Sequence, residues 1–169
     1  MENHSFEVAK RALSRYNFPL TLLLESVQVP ENVGMIFRLA EAFGVEKVYL
    51  FGASAQPPNV KVAKASRSTV KVVPWEVAPD SAMLITRLKG EGYTIIGLET
   101  ADSSEDIRHF DFGKHEKIAL VAGGEKYGIT ANTLSLLDAC VKIHLFGTTA
   151  SLNVATAVAI AMYRITEGR

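Results

Sequence analysis

The sequence predicts an α/β domain with a mostly parallel sheet of about six strands and helices on both faces. Two patterns carry this prediction. Short apolar runs alternate along the chain with segments of helical periodicity. Most of those runs are almost continuously apolar over five residues, which suits strands covered on both sides rather than strands with one wet face. The 169 residues fit one compact unit, so the expected organisation is a single domain over 1–169 with a short helical extension at 1–18.

The candidate strands are Leu20 to Leu24, Lys47 to Phe51, Val70 to Val73, Thr94 to Leu98, Ile118 to Ala122 and Val141 to Leu145. Between them, Glu31 to Phe43 places Val33, Ile36, Phe37 and Ala40 on one stripe at helical spacing. Ser81 to Lys89 runs up to Gly90, Thr130 to Leu137 follows a glycine turn, and Ser151 to Ile165 is a long alanine-rich helix. Phe51 to Pro58, with Gly52, Ser54, Pro57 and Pro58, reads as a loop. A basic helix, Glu7 to Arg15, precedes the first strand and carries Lys10, Arg11 and Arg15.

Composition narrows the function classes. With 48% hydrophobic and 21% charged residues the chain is an ordinary globular protein. A domain of this size buries roughly 70% of its unfolded surface, so neither disulfide nor structural metal is needed. The one cysteine, Cys140, lies in an apolar stretch and is expected in the core of a protein from a reducing compartment. No apolar run approaches the roughly 18 residues of a membrane helix, and charges run throughout the N-terminus, so no membrane span or secretory signal is expected. The expected location is the cytoplasm. Basic and acidic residues balance at 18 each, which argues mildly against a bulk polyelectrolyte binder. Distribution matters more than the sum. Lys61, Lys64, Arg67 and Lys71 follow one another with no acidic residue among them. Such a group is either a solvated face or a surface that tracks phosphates by displacing counterions.

Three segments carry candidate chemistry. In the first, Asn32 follows Pro30-Glu31 and is placed to cap a helix; Gly34 leaves room in the first turn, and Arg38 lies one turn further on the same face. A glycine gap beside a guanidinium suits a phosphate or sugar, though a cap, a tolerated glycine and a surface arginine explain it equally well. In the second, Gly123-Gly124-Glu125-Lys126-Tyr127-Gly128 follows a candidate strand directly. Glycines at a strand's carboxyl end, ahead of a helix, are where open α/β sheets bind ligands. The segment lacks the Gly-Lys-Ser/Thr ending of a phosphate-binding loop, and a plain tight turn would look the same. In the third, Ser151-Leu152-Asn153 enters the last helix; Ser151 can cap it, which leaves Asn153 as a second hydrogen-bonding side chain.

Taken in order, these segments resemble the TrmH/SpoU family of SPOUT-class RNA methyltransferases. Asn32, Gly34, Arg38, Ala40 and Gly44 match the first motif, Gly123, Glu125 and Gly128 the second, and Ser151, Leu152 and Asn153 the third. Lys64-Ala65-Ser66-Arg67-Ser68 also looks like the family's basic segment. The likeness spans roughly Leu20 to Thr166. One departure is Leu39, where many members carry a small hydroxyl residue after the arginine.

The resemblance implies a parallel α/β fold whose C-terminal part is threaded into a deep trefoil knot. It implies that the knot holds S-adenosylmethionine, with Leu98, Gly123, Leu145, Ser151 and Leu152 as cofactor-binding positions. It implies a homodimer in which Arg38 of one subunit reaches the cofactor of the other. The implied reaction is in-line attack of a ribose 2′-oxygen of tRNA or rRNA on the cofactor's methyl carbon. Arg38 would activate the hydroxyl, and Asn32, Glu125, Ser151 and Asn153 would shape the site. A guanidinium is never deprotonated in ordinary protein chemistry. Its alternative role is to hold a phosphate and stabilise the forming alkoxide. RNA contact would fall to Lys61, Lys64, Arg67 and Lys71. Two other readings stay open: a SPOUT-type RNA base methyltransferase, and a non-catalytic knotted module that binds RNA.

Overall fold

A computed structural model describes residues 19–167. The expected N-terminal extension at 1–18, with Lys10, Arg11 and Arg15, lies outside the described residues. The chain forms a seven-stranded sheet, one strand more than expected, in the order β3-β2-β1-β6-β4-β7-β5. The strands are β1 (Leu20–Glu25), β2 (Lys47–Phe51), β3 (Trp75–Val77), β4 (Thr94–Leu98), β5 (Glu105–Asp106), β6 (Ile118–Gly123) and β7 (Ala139–Lys142). Every neighbouring pair is parallel.

Two apolar clusters explain the layering. Leu20, Leu22 and Leu24 of β1 face one side with Val33, Ile36 and Phe37 of α1 (Pro30–Ala42) and Val158, Ala161 and Ile165 of α5 (Val154–Thr166). Val62 of the short α2 (Val60–Ser66) joins them. Leu23 faces the other side, with Leu84, Ile85 and Leu88 of α3 (Ser81–Gly90) and Ile129. Both faces are therefore dry, which is why the strand sequences read as continuous apolar runs.

Several expectations need correction. Val70 to Val73 is not a strand; Thr69–Lys71 forms a 3-10 turn and β3 lies just beyond it. Arg67 and Ser68 sit in left-handed conformation, and the Thr69 hydroxyl donates to the Ser66 carbonyl at 2.7 Å, so turn chemistry overrides the β-branched composition. The last strand begins and ends earlier than Val141 to Leu145, and the helix read at Thr130 to Leu137 is one turn, α4 (Ala131–Leu134). Asn32 does not cap α1: the cap position is Val29 and Pro30 opens the helix, leaving the Asn32 side chain free for other partners. Ser151 does not cap α5 either. That role belongs to Asn153, whose Oδ1 accepts from the Ala155 and Thr156 amides at 2.9 and 3.2 Å.

Cys140 is half-buried rather than in the core, with the Ser104 hydroxyl 3.2 Å from its sulfur. β7 pairs with β4 on one side and β5 on the other. The connection from β4 to β5 must therefore pass over the end of β7, and the chain leaving β7 turns back to α5 on α1. No helix among the described residues is long and apolar enough to cross a membrane.

Candidate active site

The sheet order reverses beside β1, the location where open α/β sheets form a ligand crevice at the strands' carboxyl ends. A cavity of about 190 Å³ opens at the carboxyl ends of the strands on the β6 side of that reversal, lined by the ends of β4, β6 and β7 and by the segment entering α5. Leu98, Gly123, Leu145, Ser151 and Leu152 all line it, as do Glu125, Glu99 and Thr100. Its walls mix leucine side chains with carboxylate, hydroxyl and backbone groups, a lining suited to a ligand that is partly apolar and partly polar or cationic.

The glycine-rich loop is shaped by close approach. A Cβ at Gly123 would overlap the Gly128 carbonyl group, and one at Gly124 would overlap the Ser26 carbonyl oxygen. Two carboxylates then pin the loop from either side. Glu99 accepts from the Ile129 and Thr100 amides, both at 2.9 Å. Buried Glu25 accepts from the Thr130 amide at 3.0 Å, its hydroxyl at 2.7 Å and the Thr133 hydroxyl at 2.9 Å. Sequence reasoning missed both. Glu99 could have been found, because it follows the carboxyl end of β4, where this sheet type binds ligands; Glu25 has the same signal at the end of β1.

The three segments meet at the cavity's edge. Asn32 Nδ2 donates to Glu125 Oε1. Asn153 Nδ2 donates to Asn32 Oδ1 at 2.9 Å. Asn32 is buried, while Glu125 is exposed at the mouth. Residues 93 and 121 positions apart from Asn32 are thus joined through one amide. Because Asn32 is freed from capping and Asn153 uses its oxygen to cap α5, each amide has one defined orientation.

Arg38 stands elsewhere. It is exposed and lines a separate cleft with Met35, Leu39, Thr69, Thr156 and Ala159, between α1 and α5. The room beside Gly34 is not a ligand site: α2 fills it, with Ala65 Cβ, the Val62 oxygen and the Ser66 nitrogen 2.6, 2.7 and 2.9 Å from where a Cβ would stand. Gly34 is a helix-packing residue. By holding α2 against α1 it also fixes the basic group, of which Lys61, Lys64, Arg67 and Lys71 are all exposed. Lys61 pairs with Glu31 at 3.5 Å; no ion pair joins Lys64, Arg67 or Lys71 to an acidic group among the described residues.

A parallel α/β sheet with a cavity at its strands' carboxyl ends, rimmed by an amide–carboxylate network, defines the class of α/β proteins that bind a small ligand there. Comparison with known proteins makes this specific. Residues 19–163 match the profile of the SpoU rRNA Methylase family, and the chain belongs to that family. It is 30% identical over 160 residues to a tRNA (guanosine(18)-2′-O)-methyltransferase of Thermus thermophilus, spanning 95% of this chain and 80% of that protein. Among solved structures, the TrmH/SpoU tRNA modifying enzyme of A. aeolicus superposes with a TM-score of 0.86 at 21% identity, over 96% of this chain and 81% of that one. The AdoMet-bound rRNA methyltransferase of Sinorhizobium meliloti superposes with a TM-score of 0.81 at 26% identity, over 87% of this chain and 55% of that one.

Proposed function

We propose that the chain is an S-adenosylmethionine-dependent RNA methyltransferase that methylates a ribose 2′-hydroxyl of tRNA or rRNA. The observation that carries this reading is the Asn32–Glu125–Asn153 network at the rim of the cavity. Capping α5 accounts for the Asn153 oxygen, but it does not account for an Asn32 amide that holds the Glu125 carboxylate at the cavity wall. Family membership and the ribose-methylating relative support the same conclusion.

S-adenosylmethionine, when bound, supplies an electrophilic methyl group on a sulfonium. Leu98, Leu145 and Leu152 provide apolar walls for it, and Gly123 and Ser151 bring backbone and hydroxyl groups to the same cavity. Glu125, held by Asn32, brings a negative charge to the cavity wall, where it favours a cationic ligand. Asn153 fixes the Asn32 amide and the start of α5 together. The Arg38 guanidinium holds a phosphate of the target nucleotide and stabilises negative charge developing on the 2′-oxygen. Lys64, Arg67 and Lys71, with a smaller share from Lys61, track the RNA backbone.

Arg38 contributes across a homodimer interface. Supporting this are Met35, Ile160 and Tyr163, large apolar side chains that α1 and α5 leave exposed on the same side as the Arg38 cleft. The β7 crossing between β4 and β5 supports the threaded knot, and the single domain works in the cytoplasm, where its RNA is. The test is nucleoside analysis of RNA incubated with the protein and S-adenosylmethionine. A 2′-O-methylated nucleoside is expected; a base-methylated product, or no cofactor binding, overturns the assignment.

A further inference from the structure

The cofactor cavity has a neighbour. A second cavity of about 140 Å³ lies between the segment after β1 and the glycine-rich loop, and it shares Gly124, Glu125 and Gly128 with the first. Its remaining walls are Ser26, Gln28, Val29, Lys126 and Tyr127. Gln28 is exposed, Val29 is 41% exposed and Tyr127 70% exposed, so an amide, an aliphatic wall and an aromatic ring face solvent around one opening. Lys126 Nζ stands 4.9 Å from the centroid of the Tyr127 ring.

The chemistry of ribose methylation makes this adjacency meaningful. The acceptor oxygen is on C2′ and the base is on C1′, and these carbons are bonded to each other. A site that presents the 2′-oxygen to a methyl donor must therefore receive the base immediately beside the donor's cavity. The wall shared by the two cavities includes Glu125, the carboxylate of the rim network. Cavities of about 150 Å³ accept one benzene-sized ring, so the second cavity has room for one six-membered ring. Single-stranded RNA is read by such means: an unstacked base lies on an aromatic side chain while its edge meets a hydrogen-bonding group.

We propose that this second cavity takes the base of the target nucleotide, with Tyr127 as its stacking platform and Gln28 reading its edge. The Lys126 ammonium lies over one face of the ring, so the base takes the opposite face and the ammonium meets the adjoining phosphate. The inference rests on the ribose-methylation reading and deepens it. Its test is methyl transfer from labelled S-adenosylmethionine to total RNA from a strain deleted for the gene, with the methylated nucleosides identified by mass spectrometry. Tyr127→Ala is expected to lower apparent kcat/KM roughly 5- to 150-fold through KM, the range that removal of one base–aromatic stack produces. Tyr127→Phe keeps the ring and restores most of the activity, and cofactor affinity measured by calorimetry stays at the wild-type value in both. Gln28→Ala is expected to broaden the set of nucleosides that become methylated. Wild-type methylation with Tyr127→Ala within twofold of it overturns the base site alone. Absence of any 2′-O-methylated nucleoside with the wild-type protein overturns the functional assignment, and the base site falls with it.

Discussion

Asn32→Asp tests the rim network with the smallest change of shape. Only Nδ2 is replaced; Oδ1 still accepts from Asn153, so the cap of α5 survives. The donor facing Glu125 becomes a second acceptor. A hydrogen bond to a charged group contributes about 1.5–3 kcal/mol. The new like-charge contact adds about 1 kcal/mol, kept small because Glu125 reaches solvent. The sum, about 2.5–4 kcal/mol, corresponds to a loss of roughly 70- to 900-fold in kcat/KM if the network acts in the transition state. Displacing Glu125 from the wall common to both cavities is of itself enough for such a loss, since a shift of about 1 Å in a positioned group costs roughly a hundredfold.

The assay is methyl transfer across a pH series, read as the ratio of variant to wild type so that intrinsic pH effects cancel. Two facing carboxylates oppose joint ionisation, so the variant takes up a proton on acidification that the wild type does not, and that proton restores a donor between them. The ratio should therefore rise as pH falls. Activity within threefold of wild type near pH 8 would refute the role of the Asn32 donor. A loss accompanied by collapse of cofactor affinity would show that the network builds the cavity instead of aligning its rim.

Arg38→Ala should abolish turnover and leave cofactor affinity within about twofold, because the Arg38 cleft and the cofactor cavity share no lining residue; calorimetry and single-turnover rates check both halves. Replacing Lys64, Arg67 and Lys71 by Gln should flatten the slope of log affinity against log salt by roughly 0.7–0.9 for each RNA phosphate that is no longer neutralised, and an unchanged slope would make this an ordinary solvated face. Gly34→Ala adds helix propensity but drives a methyl into α2, for a net loss of about 1–2 kcal/mol and a Tm lower by roughly 2–8 °C. Thermal melts decide it, and an unchanged or higher Tm would remove the packing argument.

The long elements were legible because one signal dominated each. The stripe Val33, Ile36, Phe37 and Ala40 is wholly buried, and β2 and β4 fall on their apolar runs. The misread elements lacked such dominance. β5 is Glu105–Asp106, two charged residues held at the sheet edge only by pairing with β7, so no apolar pattern could reveal it. The stretch from Val70 yields to a hydroxyl-capped turn that local composition does not report. In the site, all five residues that the family resemblance implied for the cofactor line one cavity; only Gly123, at a strand end, and Ser151, before a helix, carried a local signal of their own. The partners of Asn32 were not legible as partners. Its hydrogen bonds to Glu125 and Asn153 depend on which residue caps each helix, and both capping assignments went the other way.

Arg38 and Asn32 illustrate what one helix can and cannot do. They lie six residues apart on α1, which separates them by about 9 Å along the axis and about 120° around it. Asn32 points into the rim network, so Arg38 must point away from it, and it does: its cleft lies between α1 and α5. No rotation of the helix brings both to one cavity within a single chain. In the proposed homodimer a two-fold partner would, because an isologous contact through α1 and α5 would set each subunit's Arg38 opposite the other's surface. The proposed composite site therefore makes a strong demand. Co-expressing Arg38→Ala with Leu145→Arg, which fills the cofactor cavity, should yield one working site in each mixed dimer, roughly a quarter of wild-type activity, although each variant alone is inactive. Failure to complement, with mixed dimers demonstrated, would mean that Arg38 serves the cavity of its own chain and would overturn the composite site.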